Sequence, residues 1–211
     1  MNKIELILTT LEKMYPNAKA ELFYRNNFEL LVAVILSAQT TDIAVNKVTP
    51  ILFKKYPTPK LLKEAVLKDV ENIIKTIGLY RTKARNIIKT AELIETHHNG
   101  EIPNNRKELE ALPGVGRKTA NVVLANAFNQ AVIAVDTHVA RVSKRLGLAK
   151  EDDDTLAVEN KLVQLFPQDK LQKLHHQLIF FGRYHCQARK PKCYQCPLIA
   201  VCQYENKNLL K

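Results

Sequence analysis

The sequence predicts an all-α protein, on three observations. Apolar residues recur three and four positions apart in segment after segment. No run alternates apolar and polar residues as a half-buried strand does, and no Asn-Gly pair joins two such runs into a hairpin. The proline, glycine and asparagine breaks fall where helices would stop. In chain order, the first helical element is MNKIELILTTLEKMYP, with Ile4, Ile7, Leu8, Leu11 and Met14 on one face and Glu5 and Glu12 between them. It is amphipathic and lacks the uninterrupted apolar centre of an export signal. The run LLVAVIL at 30–36 is the longest apolar stretch, and its seven residues are too short to span a bilayer. Helical spacing then marks 42–56, 82–98, 117–128, 137–148 and 155–166. AVIAV at 131–135 reads either as a short buried strand or as an apolar connector. Breaks are expected at Tyr15-Pro16-Asn17, Tyr56-Pro57-Thr58-Pro59, Asn99-Gly100, Pro103-Asn104-Asn105 and Phe166-Pro167.

Of the 211 residues 46% are hydrophobic and 25% charged, which suits one large soluble domain or two small ones that pack without a low-complexity linker. Lysine and arginine total 32 against 21 acidic residues, a net charge of +11. Such a surplus favours a polyanionic partner, nucleic acid first, with a solubility role or a membrane-surface patch as the other uses of a basic surface. A cytoplasmic monomer is the expectation, with no membrane association.

TIGLYRTKARNII, from Thr76, aligns 36 residues upstream of LPGVGRKTANVVL, from Leu112, and sets Gly78 on Gly114 and Arg81 on Arg117. Two helix-turn-helix units of similar build follow from this echo. In the second, Pro113 restricts φ, while Gly114 and Gly116 permit positive φ and close backbone approach. An ordinary helical hairpin needs no more. The N–H groups at the start of the next helix also form an anion site, and a phosphate there would be gripped without its base being read. Lys118 stands in that first turn, where the positive end of the helix dipole disfavours a cation. The same field, with Arg117 alongside, favours the free amine, the form that attacks an electrophilic carbon. Asp136 ends the run AVIAV and precedes a helix, so it serves as an N-cap or as a carboxylate for chemistry at a sugar C1′.

All four cysteines, Cys186, Cys193, Cys196 and Cys202, lie in one window with spacing C-x6-C-x2-C-x5-C. Clustering without an export signal points to a metal site over two disulfides. Zinc and an iron-sulfur cluster both accept four thiolates, and the spacing does not choose between them. Arg189, Lys190 and Lys192 sit inside the window, and residues 170–204 carry six lysines and arginines and no acid. These residues either contact phosphate, offset the charge of the metal site, or do both. His97, His98, His175 and His176 are expected at the surface or near helix ends, and His185 is expected to be incidental to the metal.

LPGVGRKTA, VDTH and the cysteine tail together resemble endonuclease III, a family of helix-hairpin-helix DNA glycosylase/lyases, and the resemblance runs from the first helix to Cys202. It implies a six-helix barrel domain over 21–130 that holds the hairpin. It also implies an iron-sulfur domain made of 1–20 and 131–211, with the active site in the cleft between the two. On this resemblance Lys118 matches the nucleophile that attacks C1′ and forms a Schiff base, and Asp136 matches the family's essential carboxylate. The four cysteines match the ligands of a 4Fe-4S cluster. The substrate implied is double-stranded DNA carrying oxidised pyrimidines or abasic sites, in the cytoplasm at the nucleoid. The damaged nucleotide must leave the stack. Gln39 matches the family's inserted residue and Leu79 its wedge, where the residues alone suggest a helix-break amide and a hairpin core side chain. Gly114, Gly116, Arg117 and His138 are further expected DNA contacts, with Arg189, Lys190 and Lys192. Two other functions remain open at this point. Monofunctional adenine glycosylases generally lack a lysine at the position of Lys118, and a non-catalytic DNA-binding module with a structural metal would need neither Lys118 nor Asp136.

Overall fold

The computed structural model describes residues 2–210, and every regular element among them is helical. The α-helices are α1 (Lys3–Met14), α2 (Asn27–Ser37), α3 (Asp42–Lys55), α4 (Pro59–Lys63), α5 (Leu67–Ile74), α6 (Tyr80–His98), α7 (Arg106–Glu110), α8 (Arg117–Phe128), α9 (Thr137–Arg145), α10 (Thr155–Leu165) and α11 (Leu171–Tyr184). Short 3-10 turns occupy Gln168–Lys170, Cys193–Gln195 and Ile199–Val201. AVIAV forms no strand; it is a connector whose Ile133, Ala134 and Val135 are buried. None of the described helices is long and apolar enough to cross a membrane.

The chain divides into two compact units, Glu21–Gln130 and the pair Met1–Ala20 with Ala131–Lys211, of which Met1 and Lys211 lie outside the described residues. The first unit is organised around α2. Its residues from Phe28 to Leu36 are buried on every side, which is why the run LLVAVIL shows no period in sequence. Each fully buried leucine or isoleucine there contributes about 1.5–3 kcal/mol of transfer free energy. Around α2 pack α3, α6 and α8, and α4 and α5 close on α6. Asn26, Thr41, Thr58 and Asn105 cap α2, α3, α4 and α7 through their side chains, each satisfying an orphan N–H of the first turn.

In the second unit α11 packs on α1 and α9. Leu171, Leu174, Leu178 and Phe181 of α11 share one core with Ile7, Leu11, Val139, Val142 and Leu162. Polar ties fix α1 to α11. Lys173 Nζ donates to Glu12 Oε1 at 2.6 Å, and Gln177 Nε2 donates to Glu12 Oε2 at 2.9 Å. These pairs explain why the first helix belongs with the C-terminal half of the chain.

Candidate active site and cysteine cavity

The hairpin joins α7 to α8 through residues 112–116. Leu112 and Val115 anchor the turn in the core, and the Val115 N–H donates to Leu112 O at 3.1 Å. From α6, buried Thr90 donates its hydroxyl to Pro113 O at 3.1 Å. The two glycines do different work. Gly114 sits at φ +80, where a Cβ would stand 3.2 Å from Ile35 Cγ2 and 2.8 Å from Asn86 Nδ2. Gly116 does not use the positive φ that the sequence allowed it. It is extended, at φ −98 and ψ 178, and nothing lies within 4 Å of the place a Cβ would occupy. Any L-residue could adopt that backbone, and the bare Cα faces outward.

Gly116 is also the N-cap of α8 and supplies no side-chain acceptor to its first turn. The other half of the sequence echo behaves alike, since α6 begins on Leu79 without a side-chain cap. Helix starts of this kind present N–H groups outward with the positive dipole end behind them. Arg117 is half-buried and engaged within the protein. Lys118 is exposed, and its amine has no hydrogen bond or ion pair among the described residues.

Asp136 begins α9 as its N-cap, with Oδ1 accepting from the Val139 N–H at 2.8 Å. The capping role is thus real, and it engages Oδ1 without consuming the carboxylate, which remains half-buried. Lys118 and Asp136 lie in different units of the chain. The connector that delivers Asp136 is held by His175, whose Nδ1 lies 2.8 Å from Ala134 O; a carbonyl only accepts, so this nitrogen carries the proton. The surface position expected for His175 and His176 is therefore wrong: both are buried on α11. In the first turn of α9, His138 Nδ1 lies 3.1 Å from Arg141 Nη2 and must be the acceptor. Arg141 donates as well to Gly182 O at 2.7 Å and Cys186 O at 3.2 Å, tying the start of α9 to α11 and to the first cysteine. Sequence reasoning missed Arg141, and its only signal there was a spacing of three from His138.

All four cysteines carry free thiols and line one cavity with Arg145, Phe181, His185, Lys192, Ile199 and Tyr204. Arg145 braces that loop. Its guanidinium lies 3.9 Å from the Tyr204 ring centroid, and its Nη1 donates to Gln187 O at 2.8 Å and to Cys186 Sγ at 3.5 Å. Burial pushes the Cys196 thiol up to about 11 and raises Cys186 as well, the latter opposed by Arg145. Among the described residues no three His, Cys, Asp or Glu side chains group closely enough to hold a single metal ion. Four thiolates around one cavity are a donor set that zinc and an iron-sulfur cluster both accept. His185 is buried and stacked on Phe181. Arg189 and Lys190 are exposed on the same loop, whereas exposed Lys192 also borders the cavity.

Gln39 and Leu79 share a backbone state that side chains rarely adopt, at φ +54 and φ +58. Both are exposed, Leu79 at 60%, so the hairpin-core reading of Leu79 fails.

Residues 32–168 match the HhH-GPD superfamily of base excision DNA repair proteins. Endonuclease III of Bacillus subtilis is 50% identical over 203 residues, spanning 96% of this chain and 93% of that protein. The chain belongs to the endonuclease III family. The Escherichia coli enzyme is 48% identical over 209 residues, 98% of this chain and 99% of its own. A solved structure of a non-covalent endonuclease III–DNA complex superimposes with a TM-score of 0.90 at 52% identity, covering 96% of both chains. The fold is accordingly the all-α helix-hairpin-helix glycosylase fold. The chain is a base-excision DNA glycosylase with lyase activity at abasic sites.

Proposed function

We propose that this protein, a monomer acting on cytoplasmic, nucleoid DNA, removes oxidised pyrimidines from the duplex and then cleaves 3′ to the abasic site through an imine on Lys118. The observation that carries this reading is the unpaired, exposed Lys118 amine in the first turn of a helix whose cap is a bare glycine. The hairpin grips a backbone phosphate with the N–H groups around Gly116, which leaves the lysine two residues away to reach the sugar. The amine attacks C1′ and the base departs with the bonding electrons. Ring opening then gives the Schiff base, and loss of a C2′ proton expels the 3′ phosphate by β-elimination. Asp136 stabilises cationic character at C1′ or assists proton transfer at the amine. Gln39 fills the space left by the flipped nucleotide and Leu79 wedges the stack beside it, with His138 and Arg117 as further contacts and Arg189, Lys190 and Lys192 as phosphate contacts of the cysteine loop.

Cys186, Cys193, Cys196 and Cys202 would hold a 4Fe-4S cluster, a reading supported by the four free thiols that line one shared cavity. Ligation by these four cysteines would tie residues 186–202 together and so fix the loop that carries Arg189 and Lys190.

Borohydride trapping tests the mechanism. With duplex DNA carrying one abasic site, the wild-type protein gives a covalent protein–DNA band and Lys118→Ala gives none while its duplex affinity stays within a few-fold. A band of undiminished strength from Lys118→Ala would remove the lysine from the reaction.

A further inference from the structure

A lysine is buried beneath the two exposed turns that carry Gln39 and Leu79. Lys83 stands in the first turn of α6 and is only 4% exposed. Both features are unfavourable for a cation, which loses hydration and faces the positive end of the helix. Its Nζ donates to Thr40 Oγ1 at 2.6 Å, and that is its one side-chain hydrogen bond among the described residues. The Thr40 hydroxyl in turn reaches Ala38 O at 3.4 Å, and the Thr40 N–H donates to Ser37 O at 3.0 Å. The lysine backbone closes the other turn, with the Lys83 N–H on Leu79 O at 3.0 Å. A Cβ placed on Gly78 would stand 3.8 Å from both Gln39 O and Thr40 Oγ1, so the two turns lie against each other. Desolvation holds the Lys83 ammonium below its usual pKa of 10.5. A bond to one hydroxyl is a small return for burying that charge, and left-handed backbone at two non-glycine residues is strained as well. Strain of this kind persists only where the surroundings over-determine it.

We propose that Lys83 is a positioning residue: through Thr40 it clamps residues 37–41 against the turn at Gly78 and Leu79, so that Gln39 and Leu79 are held ready to enter the duplex. The inference rests on the reading of Gln39 and Leu79 as inserted residues. Lys83 itself touches no substrate, since its amine is covered by the turn it holds. The step it serves is extrusion of the nucleotide, not chemistry at C1′. A single strand has no stack to open, and its abasic sugar reaches the nucleophile without insertion.

Two substrates separate the roles: a duplex with a paired oxidised pyrimidine, and a single-stranded oligonucleotide with an abasic site. Lys83→Met and Thr40→Val each remove the clamp, the second with little change of volume, and each should slow duplex excision by at least about ten-fold, the scale of one charged hydrogen bond. Imine trapping on the single strand should stay within about two-fold, the effect of a substitution outside the chemistry. If Lys83→Met fails to fold, Thr40→Val alone decides. Equal losses on both substrates, or duplex excision close to wild type, would overturn the clamp. Gln39→Ala and Leu79→Ala provide the control. If they slow duplex excision and the clamp variants do not, the positioning role is refuted alone; if they are harmless, the insertion reading falls and the inference with it.

Discussion

Replacing each hairpin glycine by alanine should separate folding from binding. At Gly114 the backbone stands at φ +80, where a Cβ costs about 1–2 kcal/mol by its clash with the following carbonyl. The new methyl would also stand 3.2 Å from Ile35 Cγ2, a buried branched side chain on the central helix that cannot swing aside, whereas Asn86 Nδ2, at 2.8 Å, ends a side chain that can. Together these make Gly114→Ala a loss of about 2 kcal/mol. With a urea slope of about 1–3 kcal/mol per molar, the unfolding midpoint should fall by roughly 1 M. At Gly116 the same substitution meets ordinary φ and open space and loses only glycine's N-cap advantage over alanine, so stability should fall by no more than about 1 kcal/mol. Its effect belongs to binding, because a methyl there keeps a phosphate off the N–H groups of α8. Duplex affinity should drop by about ten-fold, the scale of a lost hydrogen bond to a charged oxygen, with the salt slope nearly unchanged because the N–H donors carry no formal charge. Urea titration followed by fluorescence-anisotropy binding at several salt concentrations measures both. A Gly116→Ala protein that loses as much stability as Gly114→Ala, or that binds duplex as tightly as the parent, would refute the assignment of the bare Cα to a ligand.

Other substitutions probe the rest of the site. Asp136→Asn keeps an N-cap as good as aspartate, so thermal stability should hold within about 0.5 kcal/mol while excision collapses; Asp136→Ala should lose both, with about 1 kcal/mol of stability. An active Asp136→Asn protein would leave Asp136 as a cap alone. Alanine at both Arg189 and Lys190 should weaken duplex binding for all sequences and reduce the salt slope by about 2, with trapping efficiency at saturating protein unchanged. Gly182→Ala would set a methyl 2.9 Å from His138 Cβ and 3.2 Å from Arg141 Nη2. It should cost about 1–3 kcal/mol in calorimetry, and a variant as stable as the parent would show that α9 and α11 can part without cost.

Much of this arrangement was legible before any coordinates, and the reasons differ by element. RKTANVVLANAF coincides with α8 because its apolar positions repeat at the helical period and a Pro-Gly turn marks its start. The run in α2 lacks that signal, since a helix buried on every side has no polar face to reveal a period. At five residues each, α4 and α7 are too short to show one. Sequence could nominate both hairpin glycines but not say which needs positive φ, because that depends on where Ile35 and Asn86 sit. Nor could it find His175, whose contact with Ala134 joins residues 41 apart. Lys83 was invisible for the same reason. In sequence it is one of two lysines on an amphipathic helix, and only its burial under Thr40 distinguishes it.

The assignment of α1 to the unit completed by the C-terminal segment has a kinetic consequence. The contacts of Glu12 with Lys173 and Gln177 span 161 and 165 residues. At about 5–20 residues per second of synthesis, α1 emerges from the ribosome some ten to thirty seconds before its partner helix exists. During that interval Ile7 and Leu11, fully buried in the finished protein, have no native surface to cover them. The unit Glu21–Gln130 is contiguous and can condense meanwhile, so the order of folding runs from the middle of the chain outward. Helix α1 is therefore made before Glu21–Gln130 yet reaches its place after it, and until α11 is made its apolar face is exposed to mispairing.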